Sequence, residues 1–191
     1  MIFLKEKYEK EVIPAMMKEF HLKSKMAVPR IVKVVINVGI GKMLSGQASG
    51  ETKKIIGTIS KDLAEITGQK PIVTKARKSI AGFKVRAGVP SGIAVVLRKQ
   101  KMTDFLDRLI NIVLPRSRDF SGLRPESIDN EGNLTIAIKE QVSFPEILPE
   151  NVKKSFGLGI TVVTTAHDKE QGLALLKLIG FPFKKQIKKQ K

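Results

Sequence analysis

Arg30-Ile-Val-Lys-Val-Val-Ile-Asn-Val38 is the stretch that decides the fold class. It is rich in β-branched residues, which suit a pleated, half-buried surface. Side chains on a strand point to opposite faces in turn, so Val32, Val34, Ile36 and Val38 share one face while Lys33, Val35 and Asn37 share the other. One face is made for a core and the second is partly polar. On its N-terminal side, Phe3 to Phe20 carries Leu4, Tyr8, Val12 and Met16 at a spacing of four, the pattern of an amphipathic helix, although Pro14 argues against its second half. On the C-terminal side, Glu51 to Thr67 sets Ile55, Ile59, Leu63 and Ile66 on one helical stripe, and Gly68 stands where a left-handed cap is expected.

Working further outward, Pro71 to Lys75 and Ile93 to Lys99 read as strands, the second with Ile93, Val95 and Leu97 opposite Ala94, Val96 and Arg98. A basic loop separates them. Thr103 is expected to cap a helix carrying Leu106, Leu109, Ile110 and Val113 and ended by Pro115. A long polar connection from Arg116 to Asn133 follows, with a turn at Asp129-Asn-Glu-Gly132. Leu134 to Glu140 and Ile160 to Thr165 are strands, with a proline-containing loop from Phe144 to Glu150 between them. Asp168 is expected to cap the last helix, with Leu173, Leu176 and Ile179 facing inward and Phe181-Pro-Phe183 stopping it. Strands and helices interleave without repeats or a composition break, which predicts a single α+β domain over residues 1–183. Residues 184–191, with five lysines in eight positions, read as a mobile basic tail. At 191 residues the chain is long enough to bury a core.

Charge narrows the function. Thirty-five Lys and Arg against 18 Asp and Glu give +17 and a pI near 10.1, so the first partner to consider is a polyanion: RNA, DNA or an anionic membrane. Three stretches, Phe20 to Gly50, Ile66 to Thr103 and Gln171 to Lys191, contain no acid and hold five, nine and six cations. Those twenty exceed the whole net charge, and such segregation favours a docking surface over evenly mixed solubilising charge. Met1-Ile-Phe-Leu-Lys-Glu-Lys-Tyr8 turns charged at its fifth residue, so no secretory signal is expected. No apolar run approaches the roughly 20 residues that span a bilayer, and a soluble cytoplasmic protein is the expectation.

Reactive chemistry is hard to assemble from this sequence. There is no Cys, and the two histidines, His21 and His167, stand alone, so neither a thiolate nor a paired metal-ligand spacing exists. His167 beside Asp168 lacks a serine in a nucleophile-elbow setting. Gly39-Ile-Gly41 follows a strand, but Leu44 stands where a dinucleotide loop needs its third glycine, and no helix is expected to open there. Gly41 to Gly46 has Walker spacing, yet Gln47-Ala48 replaces the Lys and Ser/Thr that hold phosphate and magnesium. The nearest acidic cluster is Glu126, Asp129 and Glu131, either a contact for a basic protein or plain solvated turn residues. No cofactor or metal is called for.

The segment from Gly68 to Gly88 is the richest in binding chemistry. Lys70, Lys75, Arg77, Lys78, Lys84 and Arg86 can neutralise phosphates with release of counterions, while Gln69, Thr74 and Ser79 can bond to phosphate or 2′-hydroxyl groups. Phe83 is placed either to stack on a base or to anchor the loop on the core. With 5% aromatic residues and no Trp, the chain suits folded RNA better than unpaired strands. An RNA-recognition sheet motif is missing, since Gly82-Phe-Lys-Val-Arg-Ala-Gly-Val89 departs from its pattern after two positions.

Leu63-Ala-Glu-Ile-Thr-Gly-Gln-Lys-Pro-Ile-Val-Thr-Lys-Ala-Arg-Lys-Ser79, with Ala81-Gly-Phe-Lys84, closely resembles the signature of bacterial-type large-subunit ribosomal protein five, the family that binds 5S ribosomal RNA. The resemblance runs on through Val28-Pro-Arg30, Asn37-Val-Gly39, Arg108-Leu-Ile110, Leu114-Pro-Arg116, Arg118-Asp-Phe120, Phe144-Pro-Glu146 and Phe181-Pro-Phe183. It implies an antiparallel sheet with helices on one face and the other face free for RNA. It also implies 5S RNA contacts at Asn37, Gln69, Thr74 and Arg98 with Arg30 and Lys33 nearby, and Val96 stands where the family often has threonine. The loop with Lys75, Arg77, Lys78, Ser79, Lys84 and Arg86 resembles the family loop that approaches the peptidyl-site transfer RNA. Arg116, Arg118, Glu126, Asp129 and Glu131 fall in the part that bridges to a small-subunit head protein. Other ribosomal RNA and proteins of the large subunit are implied partners. The competing readings are an RNA-processing enzyme, a non-specific RNA binder and a membrane-surface protein, the last lacking a basic amphipathic helix with a strongly apolar face.

Overall fold

The computed structural model describes residues 4–44, 49–83, 85–118, 120–152 and 154–184. Its helices and strands, in chain order, are α1 (Leu4–Lys7), α2 (Ile13–Glu19), β1 (Ile31–Gly39), α3 (Gly41–Leu44), α4 (Ser49–Thr67), β2 (Ile72–Lys75), β3 (Pro90–Leu97), α5 (Lys99–Arg108), α6 (Leu114–Arg116), β4 (Leu134–Ile138), β5 (Leu158–Thr164) and α7 (Lys169–Ile179). The strands form one antiparallel five-stranded sheet of order β2-β3-β1-β5-β4, an α+β architecture. The alternation read from sequence holds in β1, where Val34, Ile36 and Val38 are buried and Asn37 is exposed. Val32 departs from it at 41% exposure, at the end of the strand beyond the core. In β3, Ile93, Val95 and Leu97 are buried while Ala94 and Val96 are half-buried.

Two compact units are threaded by this chain, one made of residues up to 34, 98–136 and from 161 on, the other of 35–97 and 137–160. In the first, α1 packs on α5, and Val12, Met16, Phe105, Leu109, Leu175 and Leu176 are fully buried. In the second, α4 lies on β3, and Ile36, Ile59, Leu63, Ile66, Ile93 and Val95 form the core. Full burial of a Leu or Ile side chain is worth about 1.5–3 kcal/mol, so these apolar sets dominate stability.

Proline does not end the helices as expected. Between α1 and α2 the chain makes a π turn, Tyr8–Val12, and between α5 and α6 another, Leu109–Val113. Each closes one residue before a proline: Ile13 N–H donates to Tyr8 O ahead of Pro14, and Leu114 N–H donates to Leu109 O ahead of Pro115. A proline ring collides with the carbonyl four residues back and cannot donate to it, and the wider turn relieves both problems. Helical backbone therefore passes through both prolines, to Glu19 and to Arg116.

Further expectations are corrected. Thr103 is not a cap: α5 starts at Lys99, and the Thr103 hydroxyl donates back to Lys99 O at 3.0 Å, the other common use of a short hydroxyl near a helix start. Asp168 occupies the cap position of α7, but its side chain makes no capping hydrogen bond. Leu173 is only half-buried; the inward stripe of α7 is Gly172, Leu175, Leu176 and Ile179, and Gly180 in a left-handed conformation (φ 118°) ends the helix. A one-turn helix, α3, does open at Gly41, with Leu44 buried, while Gly46, Gln47 and Ala48 lie outside the described residues. Lys184, assigned from sequence to the tail, donates its N–H to Leu123 O at 2.9 Å; residues 185–191 lie outside the described residues.

Candidate nucleic-acid interface

The turn from α4 into β2 is built to place Gln69. Gly68 takes a left-handed conformation (φ 63°) that an L side chain resists, and its N–H closes the helix on Ala64 O at 2.8 Å. Beneath it the Thr67 hydroxyl, 3% exposed, donates to Leu63 O at 2.6 Å and accepts the Gln69 N–H at 3.3 Å. The Gln69 side-chain amide then donates to Val96 O at 3.2 Å, which fixes the side chain against β3 and leaves its carbonyl oxygen to accept from a partner. Sequence reading found Gln69 but not Thr67, whose only signal was a threonine just before a capping glycine.

Thr74 on β2 and Asn37 on β1 are exposed, and neither side chain hydrogen-bonds to the described residues. Thr74 stands opposite Gly92 of β3, and the register shifts between Thr74 and Lys75, where Lys75 pairs with Pro90. That shift leaves Ser91 as an extra residue, a bulge that sharpens the strand's twist. Lys33 is half-buried on the Asn37 side of its strand. Arg30 is exposed; its backbone is held by Thr165, whose N–H donates to Arg30 O at 2.9 Å and whose hydroxyl accepts the Arg30 N–H at 3.0 Å. Arg98, also exposed, occupies the cap position of α5.

Residues 76–83 and 85–89 bond to one another across the loop between β2 and β3. Ala76 N–H donates to Val89 O and Gly88 N–H to Ala76 O, both at 2.9 Å, and Ile80 pairs with Val85 in an antiparallel bridge. The Ser79 hydroxyl accepts the Ala87 N–H at 2.9 Å, so it braces the loop and keeps only its proton to offer. Arg77, Lys78 and Arg86 are exposed, as is Ile80 at 50%. Lys84 and the Phe83 side chain lie outside the described residues.

The acidic turn is rigid by construction. The Asp129 carboxylate accepts from Glu131 N–H (3.0 Å), Asn133 N–H (2.7 Å) and the Asn133 side-chain amide (2.9 Å). Burial pushes this carboxyl up, but those three donors outweigh it and hold Asp129 below the ordinary carboxylate value. Asn133 Oδ1 accepts the Thr164 N–H at 3.0 Å, and Gly132 O accepts the Thr164 hydroxyl at 3.0 Å. Asp129 is therefore committed to the turn, while exposed Glu126 and Glu131 carry its outward charge. Arg116 and Arg118 are exposed before it.

Both ion pairs seen among the described residues, Lys10–Glu6 at 3.3 Å and Lys61–Glu65 at 3.8 Å, are surface pairs four positions apart on helices. Lys70, Lys75, Arg77, Lys78 and Arg86 enter none of them, so no acid among the described residues pairs with them. Among the described residues no three His, Cys, Asp or Glu side chains gather as a metal site, and no helix is long and apolar enough to cross a membrane.

Exposed Asn37 and Thr74 on an antiparallel sheet, and cations that enter no ion pair seen among the described residues, are the chemistry that suits a nucleic-acid partner. Residues 24–86 match the family model described as "Ribosomal protein L5", and residues 90–183 match the model of the C-terminus of the same ribosomal family. The chain belongs to the ribosomal protein L5 family, and so is a structural, non-enzymatic, rRNA-binding component of the large ribosomal subunit. It is 52% identical over 181 residues to large ribosomal subunit protein uL5 of Roseiflexus sp. (strain RS-1), covering 95% of this chain and 97% of that protein. It is 50% identical over 184 residues to the protein of the same name from Geotalea uraniireducens, covering 96% and 99%. A third uL5, from Kosmotoga olearia, is 50% identical over 182 residues, covering 95% and 96%. Family membership removes the enzyme and membrane-surface readings and puts the protein in the ribosome.

Proposed function

We propose that this protein holds 5S ribosomal RNA in the large subunit through Asn37, Gln69 and Thr74, with Arg30, Lys33 and Arg98 adding positive charge. The loop with Lys75, Arg77, Lys78, Ser79, Lys84 and Arg86 contacts the peptidyl-site transfer RNA. The segment with Arg116, Arg118, Glu126, Asp129 and Glu131 meets a protein of the small-subunit head. The observation that carries the first assignment is the exposure of the Asn37 and Thr74 side chains without hydrogen bonds to the described residues, with Lys75, the neighbour of Thr74, in neither ion pair seen among those residues. Neutral amides and hydroxyls suit the 2′-hydroxyls and base edges of an RNA minor groove, and the cations suit its phosphates. Membership of a ribosomal family supports the choice of RNA over other polyanions.

Titration against 5S RNA over a range of salt tests this reading. Affinity should fall with salt by a slope of about 0.7–0.9 per phosphate neutralised, yet stay tighter for 5S RNA than for an unrelated folded RNA. Asn37→Ala and Thr74→Ala should weaken 5S binding, whereas a double Arg77→Ala, Lys78→Ala change should spare it and impair translation by reconstituted ribosomes. Equal affinity for both RNAs would reduce the protein to a non-specific binder. The reverse mutational pattern would exchange the two surfaces.

A further inference from the structure

We propose that Gly92 is a positioning residue for RNA recognition, acting by leaving the Thr74 hydroxyl the space in which it is held. This rests on the reading of Thr74 as an RNA contact. Gly92 stands directly opposite Thr74 across the β2–β3 pair, and directly opposed residues on antiparallel strands project to the same face. A Cβ on Gly92 would lie 2.9 Å from Thr74 Oγ1 and 3.2 Å from Val38 O on β1. Gly92 is not among the glycines with positive φ, so its backbone is open to any residue and what excludes a side chain is space.

The two crowded atoms respond differently. Val38 O belongs to a backbone hydrogen-bonded in the sheet, and a separation of 3.2 Å asks for a shift of a few tenths of an ångström. The Thr74 hydroxyl is closer and sits on a side chain with no hydrogen bond to the described residues. Rotation about its Cα–Cβ bond is the cheaper escape, and β-branched side chains move between few rotamers, so relief means a discrete jump. That jump would carry the hydroxyl away from Gly92. The register shift immediately after this pair fixes the strand's twist at the same point, so bulge and missing side chain together set where the hydroxyl points.

A double-mutant cycle with 5S RNA at fixed salt tests the proposal, using wild type, Gly92→Ala, Thr74→Ala and the double variant. Losing one hydrogen bond to RNA should weaken binding about three- to tenfold. Thr74→Ala and Gly92→Ala should each show a loss of that order, and the double variant should bind no worse than Thr74→Ala. Wild-type affinity in Gly92→Ala, or a Gly92→Ala loss that persists in full on the Thr74→Ala background, overturns the proposal. Wild-type affinity in Thr74→Ala overturns it as well, and if Asn37→Ala is also unaffected the RNA-face reading itself has failed. Three-bond NMR couplings across Thr74 χ1 supply a readout that does not depend on the variants folding. The wild-type chain should show a single staggered rotamer, and averaged couplings would overturn the proposal.

Discussion

Gly172 lies inside α7, where helix propensity alone says that alanine should stabilise the protein by about 1 kcal/mol. The tertiary structure reverses the sign. A Cβ at Gly172 would collide with Gly132 Cα, and would stand 2.7 Å from Gly132 O and 3.0 Å from Gly132 C. All three are backbone atoms of the acidic turn, and none can rotate aside. Gly132 is itself in a left-handed conformation (φ 75°), and its carbonyl accepts the Thr164 hydroxyl, so moving the turn also threatens that bond and the one from Thr164 N–H to Asn133. Overpacking typically costs about 1–3 kcal/mol, and each hydrogen bond lost adds about 1 kcal/mol. Gly172→Ala is therefore expected to destabilise by about 1–3 kcal/mol after the propensity gain. Gly57 is the internal control: it is exposed in the middle of α4 with nothing within 4 Å of its Cβ position, so Gly57→Ala should stabilise by about 0.5–1 kcal/mol. With a urea slope of about 2 kcal/mol/M, the midpoints should move roughly 0.5–1.5 M down and 0.25–0.5 M up, read by circular dichroism. A Gly172→Ala midpoint at or above wild type would refute the close approach of α7 and the turn.

Asp107 gives a pH-dependent counterpart. Burial pushes its carboxyl up, the Leu4 N–H at 3.4 Å draws it down, and neighbouring Asp104 pushes it up again, with a net rise. The folded protein thus holds this proton more tightly than the unfolded chain, whose value is about 3.9, so the charge costs stability at neutral pH and the cost disappears below about pH 4. Asp107→Asn should raise the urea midpoint at pH 7 and lose that advantage near pH 4; the same gain at both would contradict it. Gln141 is fully buried, donating to Lys154 O at 2.9 Å and accepting from Phe156 N–H at 2.8 Å. Gln141→Met should destabilise by about 1–3 kcal/mol in the same assay, because the buried Phe156 N–H loses its partner, and no loss would speak against that. Gly68→Ala forces an L side chain into the left-handed region at a cost of about 1–2 kcal/mol, and should weaken 5S RNA binding by displacing Gln69; unchanged affinity would separate the cap from recognition.

Period-two alternation made β1 and β3 readable from sequence, since a slip of one residue would turn Ile36 and Val38 outward, and one-sided burial enforces the register. The helices were legible in their stripes and not in their limits. Pro14 and Pro115 carry the same local signal whether a helix stops or widens into a π turn, and only packing of Val12, Met16, Leu109 and Val113 favours continuing. Thr103 likewise has one sequence signature for two hydrogen bonds, a cap or a back-bond to Lys99. Glycines divided: Gly68 was legible as a left-handed cap from its place at the end of a helical stripe, whereas Gly92 and Gly172 answer to space and Gly57 to neither, and a sequence prints the same letter for those three.

At the binding surface, sequence could name the polar groups but not how much of each was already spent. The Ser79 hydroxyl, the Gln69 amide and the Asp129 carboxylate all hold internal partners, whereas Asn37 and Thr74 hold none among the described residues. Charge was the exception, for a geometric reason. Both observed ion pairs join residues four apart, the spacing at which long side chains on a helix meet without ordering distant chain. Within four residues of Lys70, Lys75, Arg77, Lys78, Lys84 and Arg86 the sequence holds no acid, so the string already denied those cations their easiest partners. A cation left unpaired near neutral pH keeps its attraction for phosphate, and it does so wherever the backbone finally places it. That is why the class of partner could be read before the fold, while the atoms that recognise it had to wait for the hydrogen bonds.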